Sequence, residues 1–126
     1  MIAGIGIDLC RISRMRRAVR SSRFVERVFS PEEIAYSQAK GNERARAASY
    51  ASAFAAREAF CKASGVPLAR VALASGFCLL RRGGVPEIKL SPEIEALFLP
   101  GLPRRLWVSL THDGDYAAAV VVIETD

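Results

Sequence analysis

The chain has 126 residues, 51% hydrophobic and 25% charged, with a formal net charge of +5. That length supports one domain with a core, and the balance excludes intrinsic disorder, which requires low hydrophobicity. No run approaches the roughly eighteen apolar residues of a membrane span, and the apolar residues 1–10 precede the arginines, the reverse of a secretory signal.

Three cysteines (Cys10, Cys61, Cys78) form no C-x-x-C pair and have one histidine to help them, so neither a disulfide framework nor a structural zinc site is expected. The expectation is one soluble cytoplasmic domain over residues 1–126, with no membrane segment. Residues 11–27 hold seven arginines against one acid, Glu26, and the rest of the chain is near neutral. One segment should therefore attract an anionic partner.

In chain order, residues 3–9 (A-G-I-G-I-D-L) read as a buried strand whose small residues allow close backbone approach. Residues 11–20 turn helical, with Ile12, Met15 and Val19 on one stripe and arginines around the rest. Ser30-Pro31-Glu32-Glu33 carries a helix start with Glu33 closing a capping box. The longest helix is expected from about Glu43 to Ser64, ended by Gly65 and Pro67, and its alanines on every side place it in the middle of the fold. Residues 77–81 and 87–90 flank Gly83-Gly84 as a hairpin, and Ser91-Pro92-Glu93 opens a short helix. Two strands, residues 106–111 and 116–124, surround Asp113-Gly114-Asp115, the second so apolar that it reads as buried. The sum is an α+β domain, a small antiparallel sheet packed on one long central helix.

Two acids stand apart. Asp8 is the only one in the first 25 residues, and Glu58 the only one between Arg44 and Pro86. Glu58 lies beside the Tyr50–Phe54–Cys61 stripe of the long helix, where an ionised carboxylate needs a compensating charge. Two readings stand open. Glu58 could pair with Lys62 at i,i+4 while Asp8 caps a helix. Alternatively the two carboxylates share a divalent cation, for which Mg²⁺ with substrate phosphate oxygens is suited. His112 lies at a strand end. Ser109 three residues earlier makes no hydrolase dyad with it, because there is no G-x-S-x-G elbow. The arginine helix lacks the interleaved aromatics of single-strand nucleic-acid binders.

Gly4-Ile-Gly-Ile-Asp8, Arg23-Phe24, Arg27-Val-Phe29-Ser-Pro-Glu-Glu33, Phe54-Ala-Ala-Arg-Glu58-Ala-Phe-Cys-Lys62-Ala and Val108-Ser-Leu-Thr-His112-Asp-Gly-Asp-Tyr116 follow one another over essentially the whole chain. In that order they resemble the holo-acyl-carrier-protein synthases, the short single-domain 4′-phosphopantetheinyl transferases. The resemblance implies their fold, and transfer of the phosphopantetheine arm of coenzyme A to a serine of apo acyl carrier protein, releasing adenosine 3′,5′-bisphosphate. It implies Mg²⁺ on Asp8 and Glu58, with Lys62 as a third catalytic residue. Phe54, Arg57, Lys62, Gly65 and His112 would bind coenzyme A, and Arg14, Arg17, Arg20 and Arg23 would dock the acidic carrier. It further implies a homotrimer with active sites at subunit boundaries, and no nucleic-acid partner. The chain departs from the family pattern at Ala53, Arg57, the Gly65-Val66-Pro67 turn and Val85. The departures at Ala53 and at Gly65-Val66-Pro67 motivate an alternative, a family member that binds carrier protein or coenzyme A without efficient turnover.

Overall fold

A computed structural model describes residues 1–72, 76–98 and 100–126. Strand β1 (Ile2–Arg11) leads into the short helices α1 (Ile12–Ala18), α2 (Ser22–Val28) and α3 (Pro31–Gln38). The long helix α4 (Glu43–Ser64) and α5 (Leu68–Ala72) follow. A hairpin of β2 (Phe77–Leu80) and β3 (Glu87–Leu90), the single turn α6 (Pro92–Glu95), and strands β4 (Arg104–Asp113) and β5 (Tyr116–Thr125) complete the chain.

Among the described residues two antiparallel sheets form, one of three strands in the order β1-β5-β4 and one of two strands, β2-β3. The three-stranded sheet lies against α4, as the α+β reading requires. The long helix has the expected ends: the Asn42 side chain accepts from the Ala45 N–H, and Gly65 closes it at φ +79°, where a side chain would be strained. Its alanines 47, 51, 53, 55, 56 and 59 are fully buried, so neighbours reach its backbone from several directions.

The glycines of β1 show how close that approach is. A Cβ on Gly4 would lie 2.0 Å from the Ala63 carbonyl oxygen, and one on Gly6 2.0 Å from that of Ala59. The strand is pressed directly on the last turns of α4. Gly6→Ala should therefore force the strand off the helix, costing about 3 kcal/mol and lowering the melting temperature by roughly 10 °C. An unchanged melting curve would contradict the close packing.

Three expectations need correction. The first helix does not begin at Arg11, which is still extended (φ −75°, ψ 120°), nor does it reach Arg20. The β4–β5 turn dictates its start: the Asp115 carbonyl accepts from Ile12 N–H at 2.7 Å, and the Asp115 carboxylate accepts from Ser13 N–H and hydroxyl at 2.9 and 2.6 Å. A separate helix, α2, follows with Ser21 as its cap. Finally, neither β1 nor β5 is buried on both faces: along β1, Ile5, Ile7 and Leu9 are exposed. Ala117, Ala119, Val121 and Ile123 point into the core, whereas Ala118, Val120 and Val122 are only half-buried, because helices cover one face of the sheet alone.

Candidate active site

Asp8 and Glu58 meet because β1 and α4 pack so closely. Along β1 the residues facing α4 alternate: Gly4, Gly6, Asp8 and Cys10. With Gly4 and Gly6 against Ala63 and Ala59, Asp8 comes alongside Glu58 and Lys62. The Lys62 ammonium donates to the Ile7 carbonyl at 3.0 Å and to Asp8 Oδ1 at 3.1 Å. The i,i+4 pairing of Lys62 with Glu58 is thus replaced by a bond across to the strand, and Asp8 caps no helix.

The remaining polar atoms are poorly served. Asp8 is 11% exposed, and its Oδ2 is buried with no hydrogen-bond partner. The Glu58 carboxyl is pushed up to about 7, first by burial and then by the Asp8 carboxylate beside it; the cations of Lys62 and Arg14 offset this only in part. Two carboxylates crowd one place, one with an idle oxygen and the other inclined to keep its proton. A divalent cation removes both penalties, so the donor set fits one. Among the described residues no group of three metal-ligating side chains converges, so the remaining ligands would be substrate oxygens and water.

A pH signature follows. Glutamate in an unfolded chain loses its proton near 4.5, whereas Glu58 in the fold keeps it to about 7. Over that window the native state binds more protons, so in chelator the stability should fall as pH rises from about 4.5 to about 7. Melting temperatures across this range check it, and Glu58→Gln should flatten the slope. A flat profile in the parent would mean that Glu58 titrates normally.

The other site residues divide. Arg57 is corrected: it is fully buried and cannot touch a cofactor. Its guanidinium binds the Glu33 carboxylate bidentately (Nη1–Oε2 2.7 Å, with Nη2 on Oε1) and lies between the Phe29 and Phe77 rings. Glu33 also accepts from the Ser30 and Leu79 N–H groups, at 2.8 and 3.0 Å. The sequence signalled its capping box, which is present, but nothing in it signalled this second role. Phe54 is half-buried against the core, and Gly65 closes α4 one turn after Lys62. His112 is exposed on β4, the far edge of the sheet from Asp8. The structure does not bring it to the carboxylates.

The basic helix is connected to the carboxylates. Arg14 is exposed on α1, and its charge reaches both Glu58 and Cys10. Arg16 pairs with Glu43 at 3.0 Å, and Arg20 approaches the same carboxylate at 3.9 Å. Among the described residues Arg14, Arg17 and Arg23 form no ion pair. Burial pushes the thiols of Cys10, Cys61 and Cys78 up to about 11, which leaves no thiolate nucleophile at neutral pH.

Residues 4–121 match the family model of the 4′-phosphopantetheinyl transferase superfamily. The chain belongs to that superfamily. A relative from Methylobacterium sp. (strain 4-46), named holo-[acyl-carrier-protein] synthase, is 44% identical over 98% of this chain and 95% of its own length. The transferase fold also matches a Bacillus anthracis holo-(acyl-carrier-protein) synthase in complex with CoA (3′,5′-ADP), at a TM-score of 0.79 and 26% identity, over 100% of this chain and 99% of that one. An ACPS-CoA complex of Chronobacterium ammoniagenes matches at 0.78 and 28%, over 98% and 97%. The protein is accordingly an enzyme of the phosphopantetheinyl transferase class.

Proposed function

We propose that this transferase moves the 4′-phosphopantetheine arm of coenzyme A to a serine of an apo acyl carrier protein and releases adenosine 3′,5′-bisphosphate. The observation that carries the reading is the buried, unpartnered Asp8 oxygen beside the proton-retaining Glu58. The relatives' names and the coenzyme A held by the two solved neighbours support the choice of substrates.

Asp8 and Glu58 would hold Mg²⁺, which when bound neutralises charge on the pyrophosphate oxygens. Lys62, anchored by the Ile7 carbonyl and Asp8, presents its ammonium to the same phosphates. The carrier's serine hydroxyl attacks the β-phosphorus, the bridging P–O bond breaks, and the serine proton passes to water or to a carboxylate of the pair. Positioning and charge neutralisation supply the catalysis, so the enzyme needs no nucleophile of its own.

The assembly is read as a homotrimer working in the cytoplasm, with active sites at subunit boundaries. The uncovered sheet face carries Ile5, Ile7 and Leu9, each more than 60% exposed, with Trp107 nearby on β4. Such an apolar surface calls for a partner. Asp8 and His112 sit on opposite edge strands of the sheet, β1 and β4, which lie two strand spacings, roughly 10 Å, apart. Copies joined head to tail would bring the β1 edge of one to the β4 edge of the next and complete one site from two chains.

Carrier docking on the arginine helix gives a prediction. Arg17→Glu with Arg23→Glu removes two cations that form no ion pair among the described residues. The carrier KM should rise about tenfold or more at low salt, the gap closing as salt increases, with the coenzyme A KM unchanged. Equal carrier KM in variant and parent would contradict it. The reaction itself is tested by incubating the enzyme with apo carrier, coenzyme A and Mg²⁺ and weighing the carrier by mass spectrometry. A gain of one phosphopantetheine arm, abolished by chelator, supports the proposal. Carrier binding without a mass gain supports a non-catalytic binder instead.

A further inference from the structure

Helix α1 is seven residues long and buries only Ile12 and Met15, so apolar packing attaches it along one stripe and leaves its rotation to polar contacts. Arg11, at its N-cap position, supplies no side-chain cap. The first N–H groups of a helix have no partner within it, and here they are served from 102 residues away. The Asp115 carbonyl takes the Ile12 N–H at 2.7 Å, Oδ1 takes the Ser13 N–H at 2.9 Å, and Oδ2 takes the Ser13 hydroxyl at 2.6 Å. The turn that carries Asp115 is itself tied down: Arg44, near the start of α4, donates to the Gly114 carbonyl at 2.7 Å. Glu43, one residue earlier, holds the other end of α1 through Arg16, with Nε–Oε1 at 3.0 Å and Nη2–Oε2 at 3.1 Å. Helix α2, by contrast, is capped by its own neighbour Ser21, which accepts from the Phe24 N–H at 3.2 Å.

We infer that Asp115 is a positioning residue for carrier capture: by capping α1 from the β4–β5 turn it fixes the direction in which Arg14 faces. The inference rests on the reading that the carrier docks on the arginine segment, and it says what makes one of those arginines competent. Arg14 follows Ser13 directly, is exposed, and its charge reaches Glu58. An acidic carrier seated on it is therefore drawn toward the carboxylate pair. Successive helical residues point about 100° apart, so a modest rotation of α1 about its Ile12–Met15 stripe turns Arg14 off that side. Asp115 opposes the rotation because it grips Ser13 at both its backbone and its side chain. Arg16 on Glu43 does not suffice alone: the two side chains are 44% and 48% exposed, where an ion pair holds weakly.

A double-mutant cycle on the complete enzyme, with apo acyl carrier protein, coenzyme A and Mg²⁺, tests it. Asp115→Ala should raise the carrier KM about fivefold, the scale of one exposed charge contact, with the coenzyme A KM unchanged. Arg14→Glu should raise the carrier KM about tenfold in the parent, but by less than about twofold in the Asp115→Ala background, where Arg14 no longer faces the carrier. Arg23→Glu, on the separately capped α2, should cost the same factor in both backgrounds. A mere loss of folded enzyme lowers kcat and produces no such selective coupling. Asp115→Asn, which keeps one acceptor oxygen, should lie between parent and Asp115→Ala, and it carries the same cycle should the alanine variant fold poorly. Additive effects of Asp115→Ala and Arg14→Glu overturn the inference, as does an unchanged carrier KM in Asp115→Ala. In both cases the docking reading stands, provided that Arg14→Glu and Arg23→Glu each weaken the carrier. If neither arginine variant changes the carrier KM, the docking reading falls and the inference with it.

Discussion

Alanine at Asp8 or at Glu58 should lower phosphopantetheine transfer by about 10³-fold or more while the melting transition survives. The estimate follows from removing half of a two-carboxylate cation site in a reaction whose catalysis is charge neutralisation. Glu58 stands on a helix that is stabilised along its length by buried alanines, and Asp8 on a strand pinned by Gly4 and Gly6, so neither side chain holds the fold together. Removing Asp8 also frees the Lys62 ammonium from its 3.1 Å partner. Direct titration of Mg²⁺ should show lost binding in both variants. Near-normal turnover in either one would show that the two acids do not share an ion.

Glu33→Gln should be strongly destabilising. It leaves the fully buried Arg57 guanidinium charged and without its anion, at a cost of about 3–5 kcal/mol and a melting temperature lowered by roughly 10–20 °C. The pair joins α3 to α4, and the Leu79 N–H bond to Glu33 and the Arg57 bond to the Phe77 carbonyl carry the connection on to β2. Adding Arg57→Met to Glu33→Gln leaves no charge in the core, while the glutamine can still accept from Leu79. The double variant should therefore melt above the single one. If the single variant melts within 2 °C of the parent, the pair contributes nothing to stability.

Both expectations concern residues that the sequence exposed to different degrees. Asp8 and Glu58 stood out because each was the lone acid in an apolar neighbourhood, which is a local property of the chain. The C-terminal end of α4 was equally local: Gly65 and Pro67 mark it by backbone preference, and the structure has the helix from Glu43 to Ser64. The glycines of β1 likewise announced a close approach, though not what would approach them.

Arg57 shows the limit. One residue from Glu58, it had the charge and position of a phosphate ligand, yet α4 turns it about 100° away from Glu58 into the interior. Only packing against α3 and β2 shows that Glu33, 24 residues earlier, is waiting there. Lys62 obeyed a spacing rule that a strand 54 residues away overrode. Local sequence determined the class of the fold, its longest helix, its caps and the two acids, because these depend on short-range backbone and side-chain preferences. Which charges meet was decided by tertiary structure alone, since partners distant in the chain are chosen by the close fit of strand on helix.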